Sequence, residues 1–188
     1  MMKKLSTYLF LILFSFSASS FADDIRDFEI EGISIGYSLL DFMSEEEIKE
    51  NVVYVYPDKK FTVSVYKKSS KMYNMGVGIE YKSKDKTYKI YGIQGRVSFE
   101  NNIEGCYKKQ DEIEKEISSM FKKSEIKKFG IAPTGDEDKS TYTQTQFYVD
   151  SGDALSVACY YYPNTPAGNH LKTGITSKEL QNYLISLE

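Results

Sequence analysis

The sequence predicts an α+β fold: a single antiparallel sheet of about five to seven strands, with one long helix packed across it and short terminal helices. The first observation is composition, because the chain has 16 tyrosines and no tryptophan, and Val, Ile and Thr are frequent. Such residues pack well on pleated, half-buried strands. The second is the stretch 103–123, whose apolar residues fall on one helical stripe. A helix across one sheet face would bury both apolar surfaces.

The N-terminal part of the predicted domain contains short helices and then a hairpin. Residues 37–43 have the spacing of a buried helical turn, and Ser44 with Glu47 forms a capping box for a brief second helix. Residues 52–56 and 61–66 are predicted strands that flank a proline-led turn. In the second of them apolar residues alternate with polar ones, which predicts one buried and one wetter face.

The middle of the chain predicts further antiparallel strands at residues 77–81, 87–93 and 96–100, with a break at Gln94-Gly95. Glycines inside these strands are interpreted as bulges or bends. They are Gly76, Gly78 and Gly92.

The C-terminal part predicts a second hairpin and a terminal helix. Residues 142–149 and 154–162 form the hairpin, and residues 130–140 and 163–174 are expected to be irregular loops. Thr176 with Glu179 is a further capping box, which would start the terminal helix.

Residues 1–22 have the pattern of a cleavable signal peptide. Lys3 and Lys4 precede an apolar run at 8–16, and the small residues Ser20 and Ala22 occupy the positions that a signal peptidase accepts. The alternative, an uncleaved anchor, would need about 20 predominantly apolar residues. We therefore expect a single domain over residues 23–188, located in the periplasm or secreted, with no stable membrane span.

The charge of the chain argues against a nucleic-acid partner. The formal net charge is −3, and removing the signal takes away two lysines and no acid. Binding to nucleic acid depends on neutralising phosphates with Lys and Arg, and no long basic run is present to do this.

The two cysteines are predicted to form a disulfide. Cys106 lies on the apolar stripe of the long helix, and Cys159 shares a strand face with Leu155 and Val157, so both would point into the same core. An even number of cysteines in an oxidising compartment favours a bridge. No C-x-x-C motif supports the alternative, a redox or nucleophilic thiol.

A candidate binding surface lies near the C-terminus. Tyr160 and Tyr162 would project from the strand face opposite Cys159, followed by a loop that contains Asn164, Asn169 and His170. Exposed tyrosines would stack on a sugar or anchor a protein partner. If the terminal helix covered them instead, they would be core residues. Both alternatives are open at this point.

His170 is the only histidine. An alternative hypothesis is that the chain is a periplasmic hydrolase that uses His170 with a carboxylate such as Asp150 or Asp153. No G-x-S-x-G nucleophile elbow accompanies it, so a solvated loop histidine is preferred. The acidic groups at 136–138 and at Asp150 and Asp153 lack EF-hand spacing and are interpreted as turn residues. We expect no metal site and no cofactor.

Residues 28–40 (FEIEGISIGYSLL), with the segment 44–48, resemble the start of small uncharacterised exported bacterial proteins. A looser similarity is to envelope domains of outer-membrane assembly accessory lipoproteins and β-lactamase inhibitors, in which a glycine-led helix pair precedes an antiparallel sheet. The chain differs from the lipoproteins because it lacks an acylated cysteine. The resemblance implies an envelope location and supplies no functional residue.

The sequence therefore favours a non-catalytic binding or protein-interaction module, whose partner would be an envelope protein or a cell-wall or sugar ligand. The hydrolase is one alternative. An inhibitor of an envelope enzyme, which would insert the 163–174 loop into its target, is another.

Overall fold

A computed structural model describes residues 25–67, 72–135, 139–163 and 168–187. Two 3-10 turns, Ile25–Asp27 and Leu39–Asp41, precede the regular elements. In chain order these are α1 (Glu45–Glu50), β1 (Val52–Val55), β2 (Phe61–Tyr66), β3 (Val77–Lys82), β4 (Ile90–Glu100), α2 (Ile103–Met120), β5 (Glu125–Pro133), β6 (Thr141–Tyr148), β7 (Ala154–Tyr161), β8 (Asn169–Thr176) and α3 (Lys178–Ile185). The predicted signal peptide lies outside the described residues.

The strands form one antiparallel sheet of eight, in the order β1-β2-β3-β4-β8-β7-β6-β5. The predicted number of five to seven strands is wrong, although the chain does combine a sheet with helices. Part of two strands falls in predicted loops: residues 130–133 of β5 lie in the loop predicted at 130–140, and residues 169–174 of β8 lie in the loop predicted at 163–174. The break predicted at Gln94-Gly95 is also wrong, because β4 runs through it without interruption.

One face of the sheet, here called the covered face, carries the main core. Its strands contribute buried apolar side chains such as Ile79, Ile93, Val157 and Leu171. The N-terminal segment, α1 and α2 pack against these residues. The predicted capping box at the start of α1 is confirmed: Ser44 Oγ accepts the Glu47 N–H and the Glu47 carboxylate accepts the Ser44 N–H.

Helix α2 is attached to the covered face by a disulfide and by polar contacts. Cys106 and Cys159 are joined by a disulfide, which confirms the predicted pairing. One turn further on, Gln110 accepts a hydrogen bond from the Thr143 hydroxyl at 2.8 Å. Glu114 accepts another from the Thr145 hydroxyl at 2.7 Å. These contacts fix the helix across β6 and β7.

Helix α3 packs on the opposite face, here called the open face, at the end where β8 finishes. Leu180 and Tyr183 contact Phe61 and Tyr91 in a second, smaller core. The N-cap is Ser177, whose hydroxyl accepts the Leu180 N–H, so the predicted cap at Thr176 is wrong by one residue. In the described part of the chain no helix is long and apolar enough to cross a membrane.

Strand β2 is buried on both faces, which corrects the prediction of one wetter face. Ser64 is fully buried on the covered side and its hydroxyl donates to the Ile48 carbonyl of α1. Phe61, on the other side, packs under α3. A helix lies against each face, so the polar residues of this strand are buried as well.

Candidate binding site on the open face of the sheet

The predicted site residues Tyr160, Tyr162 and His170 come together on the open face. Tyr160 and His170 are directly paired across β7 and β8, with ring centroids 5.0 Å apart and planes 10° apart. Tyr162 stacks on His170 at 5.5 Å, and Tyr142 of β6 stacks on Tyr160 at 5.6 Å. We call these four residues the aromatic cluster.

His170 is a buried strand residue, with 6 % of its surface exposed, so the predicted solvated loop histidine is wrong. Burial holds the pKa of its imidazole below the ordinary value, and the positive charges of Arg96 and Lys172 act in the same direction. Its Nδ1 lies 3.1 Å from the Gly168 carbonyl oxygen. Buried in this way, His170 completes the stack of rings.

Asn169 is also buried, and its side-chain oxygen accepts the Tyr162 N–H at 2.9 Å. This hydrogen bond therefore holds the segment after β7 against the start of β8. Asn164 lies outside the described residues.

Helix α3 does not cover the tyrosines. Its core partners Phe61 and Tyr91 lie at the far end of the open face, whereas Tyr160 and His170 lie where β8 begins. Tyr160 and Tyr162 are half-buried because the rings of the cluster pack on one another.

The structure does not bring His170 together with Asp150 or Asp153. Asp153 precedes β7, and the six residue steps from Ala154 to Tyr160 span about 20 Å of strand. One Asp153 oxygen accepts the Lys178 N–H, and the other accepts the Ser151 hydroxyl. No group of three or more metal-ligating side chains occurs in the described residues, and residues 136–138 lie outside them.

A cavity of about 560 Å³ lies on the open face between the aromatic cluster and α3. Residues of β1, β2, β3, β4, β6, β7, β8 and α3 line this one space, which we call the open-face cavity. None of the predicted site residues that the structure describes lines this cavity, and the sequence did not point to its polar lining residues as a site. That lining consists of Glu80, Gln94, Arg96, Gln144, Gln146, Ser156, Lys172, Thr176 and Gln181.

Glu80 is the buried carboxyl group of the cavity, with 9 % of its surface exposed. Burial raises the pKa of this carboxyl to about 7, although Lys172 and Arg96 oppose the shift. Gln94 Nε2 donates to it at 3.2 Å. Gly92 leaves the necessary room, because a Cβ there would lie 2.2 Å from Glu80 Oε2 and 2.6 Å from a Leu180 methyl.

Arg96 and Lys172 are cross-strand partners on β4 and β8, and both line the cavity. The Lys172 ammonium lies 5.0 Å from the centroid of the Tyr160 ring, so it connects the cavity to the aromatic cluster. Within the described ranges, neither cation takes part in an ion pair with an acidic side chain.

The opposite wall of the cavity is aromatic and apolar. Tyr54 and Tyr56 pack edge to face at 5.0 Å, and Tyr56 does the same with Tyr183 of α3 at 5.4 Å. Burial raises the pKa of the Tyr56 hydroxyl, which stays protonated. Tyr54 is 50 % exposed and offers its ring at the mouth of the cavity.

One sequence signal could have pointed to this site. In the segment Val77-Gly78-Ile79-Glu80-Tyr81, Glu80 occupies the same strand face as Gly78, so a carboxyl is placed beside a residue with no side chain. The bulge interpretation of Gly92 agrees with the register shift opposite Glu80 and Tyr81. The second role of Gly92, leaving space for the buried Glu80 carboxyl, depends on the pairing of β3 with β4.

Neither the models of known protein families nor the curated proteins match this chain.

Proposed function

We propose that this chain is a non-catalytic binding module that acts in the periplasm or outside the cell, and that it binds a saccharide of the cell-wall type in the open-face cavity. The observation that carries the proposal is the cavity itself, about 560 Å³ and lined by amide, hydroxyl and tyrosine side chains. Cavities of roughly 300–1,000 Å³ suit small ligands.

The chemistry of the lining suits a sugar. Gln144, Gln146 and Ser156 line the floor, and amides and hydroxyls both donate and accept hydrogen bonds, as sugar hydroxyls do. Tyr54 offers an aromatic surface against which the C–H face of a pyranose ring can pack. Hydrogen-bonding side chains and an aromatic ring therefore line the same space that a sugar would occupy.

The proposed location is supported by the signal-like residues 1–22 and by the Cys106–Cys159 pair. Disulfides persist in oxidising compartments such as the periplasm and the extracellular space.

The test is titration of the mature domain with the disaccharide of N-acetylglucosamine and N-acetylmuramic acid, followed by two-dimensional NMR. We expect shift changes confined to cavity residues. Tyr54→Ala should weaken binding about fivefold, because an aromatic packing contact is removed. Tyr161→Ala is the matched control, since Tyr161 is 37 % exposed and does not line the cavity.

Shift changes outside the cavity, or equal weakening by both tyrosine variants, would contradict the assignment of the cavity as the site. Absence of binding at millimolar disaccharide would contradict the saccharide class itself.

A further inference from the structure

We infer that the ligand of the open-face cavity carries a carboxylate, and that Arg96 and Lys172 bind this group. The inference rests on the proposed function and narrows its ligand to an acidic sugar.

The first argument is the position of the two cations. Arg96 and Lys172 are directly opposite on neighbouring antiparallel strands, where like charges repel and destabilise the sheet. In the part of the chain that the structure describes, no acidic side chain forms an ion pair with either of them. An anion between them would relieve this repulsion.

The second argument is that the rest of the cavity leaves this charge largely uncompensated. Glu80 is the acidic residue among those that line it. With a pKa of about 7, this carboxyl carries only about half a negative charge at neutral pH. Gln94 already donates to it at 3.2 Å. Arg96 is exposed and Lys172 is half-buried. Two cations and a partly protonated acid therefore leave this part of the cavity lining positive.

The third argument is geometric. An arginine guanidinium presents paired N–H donors that fit a carboxylate in a bidentate manner, and Lys172 adds a second charge on the neighbouring strand. Tyr54 lines the same cavity from β1. A sugar acid can place its ring near the tyrosine and its carboxylate near the cations.

The experiment compares N-acetylmuramic acid with N-acetylglucosamine by calorimetric titration. The two probes share a pyranose ring and an N-acetyl group, and the acid differs by a lactyl ether at O3 that carries the carboxylate. We expect the wild-type domain to bind the acid at least tenfold more tightly, because hydrogen bonds to charged groups are among the strong ones. Arg96→Gln and Lys172→Gln should each remove most of this preference, measured as the ratio of the two affinities within each variant.

Lys127→Gln is the control, because Lys127 lies over Tyr148 on the open face, outside the cavity. It should leave both affinities unchanged, and thermal unfolding of each variant checks that the fold is retained. Equal affinity for the two sugars in the wild-type domain would overturn the carboxylate inference and leave the proposed function standing. If neither sugar binds, both fail.

Discussion

Glu80 is subject to two opposing effects. Burial disfavours its charged form, whereas the nearby Arg96 and Lys172 favour it, and burial is the larger effect. The pKa of the Glu80 carboxyl is raised from the ordinary value of 4.5 to about 7. In that interval the folded chain keeps a proton that the unfolded chain releases, so stability falls as pH rises.

This gives a prediction for Glu80→Gln. Glutamine has nearly the shape of the protonated acid and cannot ionise, so the variant should lose the part of the pH dependence that Glu80 causes. Between pH 4.5 and pH 8, the wild-type free energy of unfolding should fall relative to that of the variant by about 3 kcal/mol, because the pKa of Glu80 rises from 4.5 to about 7 on folding. Urea unfolding at several pH values measures both curves.

His170 provides the internal check on this experiment. Its pKa is lowered by burial, so its contribution to stability is complete above the unfolded pKa near 6.5 and is lost as pH falls below it. This His170 trend has the opposite sign and is the same in the wild-type domain and in Glu80→Gln. The difference between their unfolding free energies across the pH range therefore reports Glu80 alone. Parallel stability curves for the two proteins would refute the raised pKa of Glu80.

At the scale of elements, α3 depends on a contact with the β6–β7 turn. The Lys178 N–H at its first turn donates to Asp153 Oδ1 at 2.7 Å, and the Ser151 hydroxyl holds the other oxygen at 2.8 Å. A carboxylate at a helix N-terminus satisfies a free N–H and interacts favourably with the helix dipole.

Asp153→Ala should therefore loosen α3 by about 1 kcal/mol. Amide hydrogen exchange should become about fivefold faster in α3 and remain unchanged in β4 and β7. Asp150→Ala is the matched control, because Asp150 is an exposed residue of the same turn. Equal effects of the two substitutions would mean that the turn, and not the Asp153 contact, stabilises the helix.

The elements that the sequence predicts correctly are those with local signals. The hairpins, the Ser44 capping box and the stripe of α2 each depend on residues close together in the chain. Strand β8 lacks such a signal. Its residues Asn169, His170 and Lys172 look like loop residues, and they form a strand because β4 and β7 flank them. Strand β5 is a sheet edge with almost every residue exposed, so no alternation marks it.

At the scale of the molecule, the sheet consists of two four-stranded antiparallel units, β1–β4 and β5–β8, which join where β4 pairs with β8. This join places Arg96 opposite Lys172. The aromatic cluster contains the predicted Tyr160 and Tyr162, because local alternation places their side chains on the face opposite Cys159. His170, which was predicted in a loop, joins them only through the pairing of β7 with β8. The cavity beside it was not predictable, because its residues run from Val53 to Leu184 and meet only through the long-range pairing.

The disulfide acts at this same scale. It joins α2 to β7 across 53 residues that include β5 and β6. A cross-link of that length stabilises mainly by restricting the unfolded chain, by about 4 kcal/mol on the chain-entropy model. We expect reduction with dithiothreitol to lower the free energy of urea unfolding by about that amount. The double variant Cys106→Ala/Cys159→Ala should unfold identically with and without the reductant. If the reduced and oxidised wild-type domains unfolded at the same urea concentration, packing of α2 alone would account for its attachment.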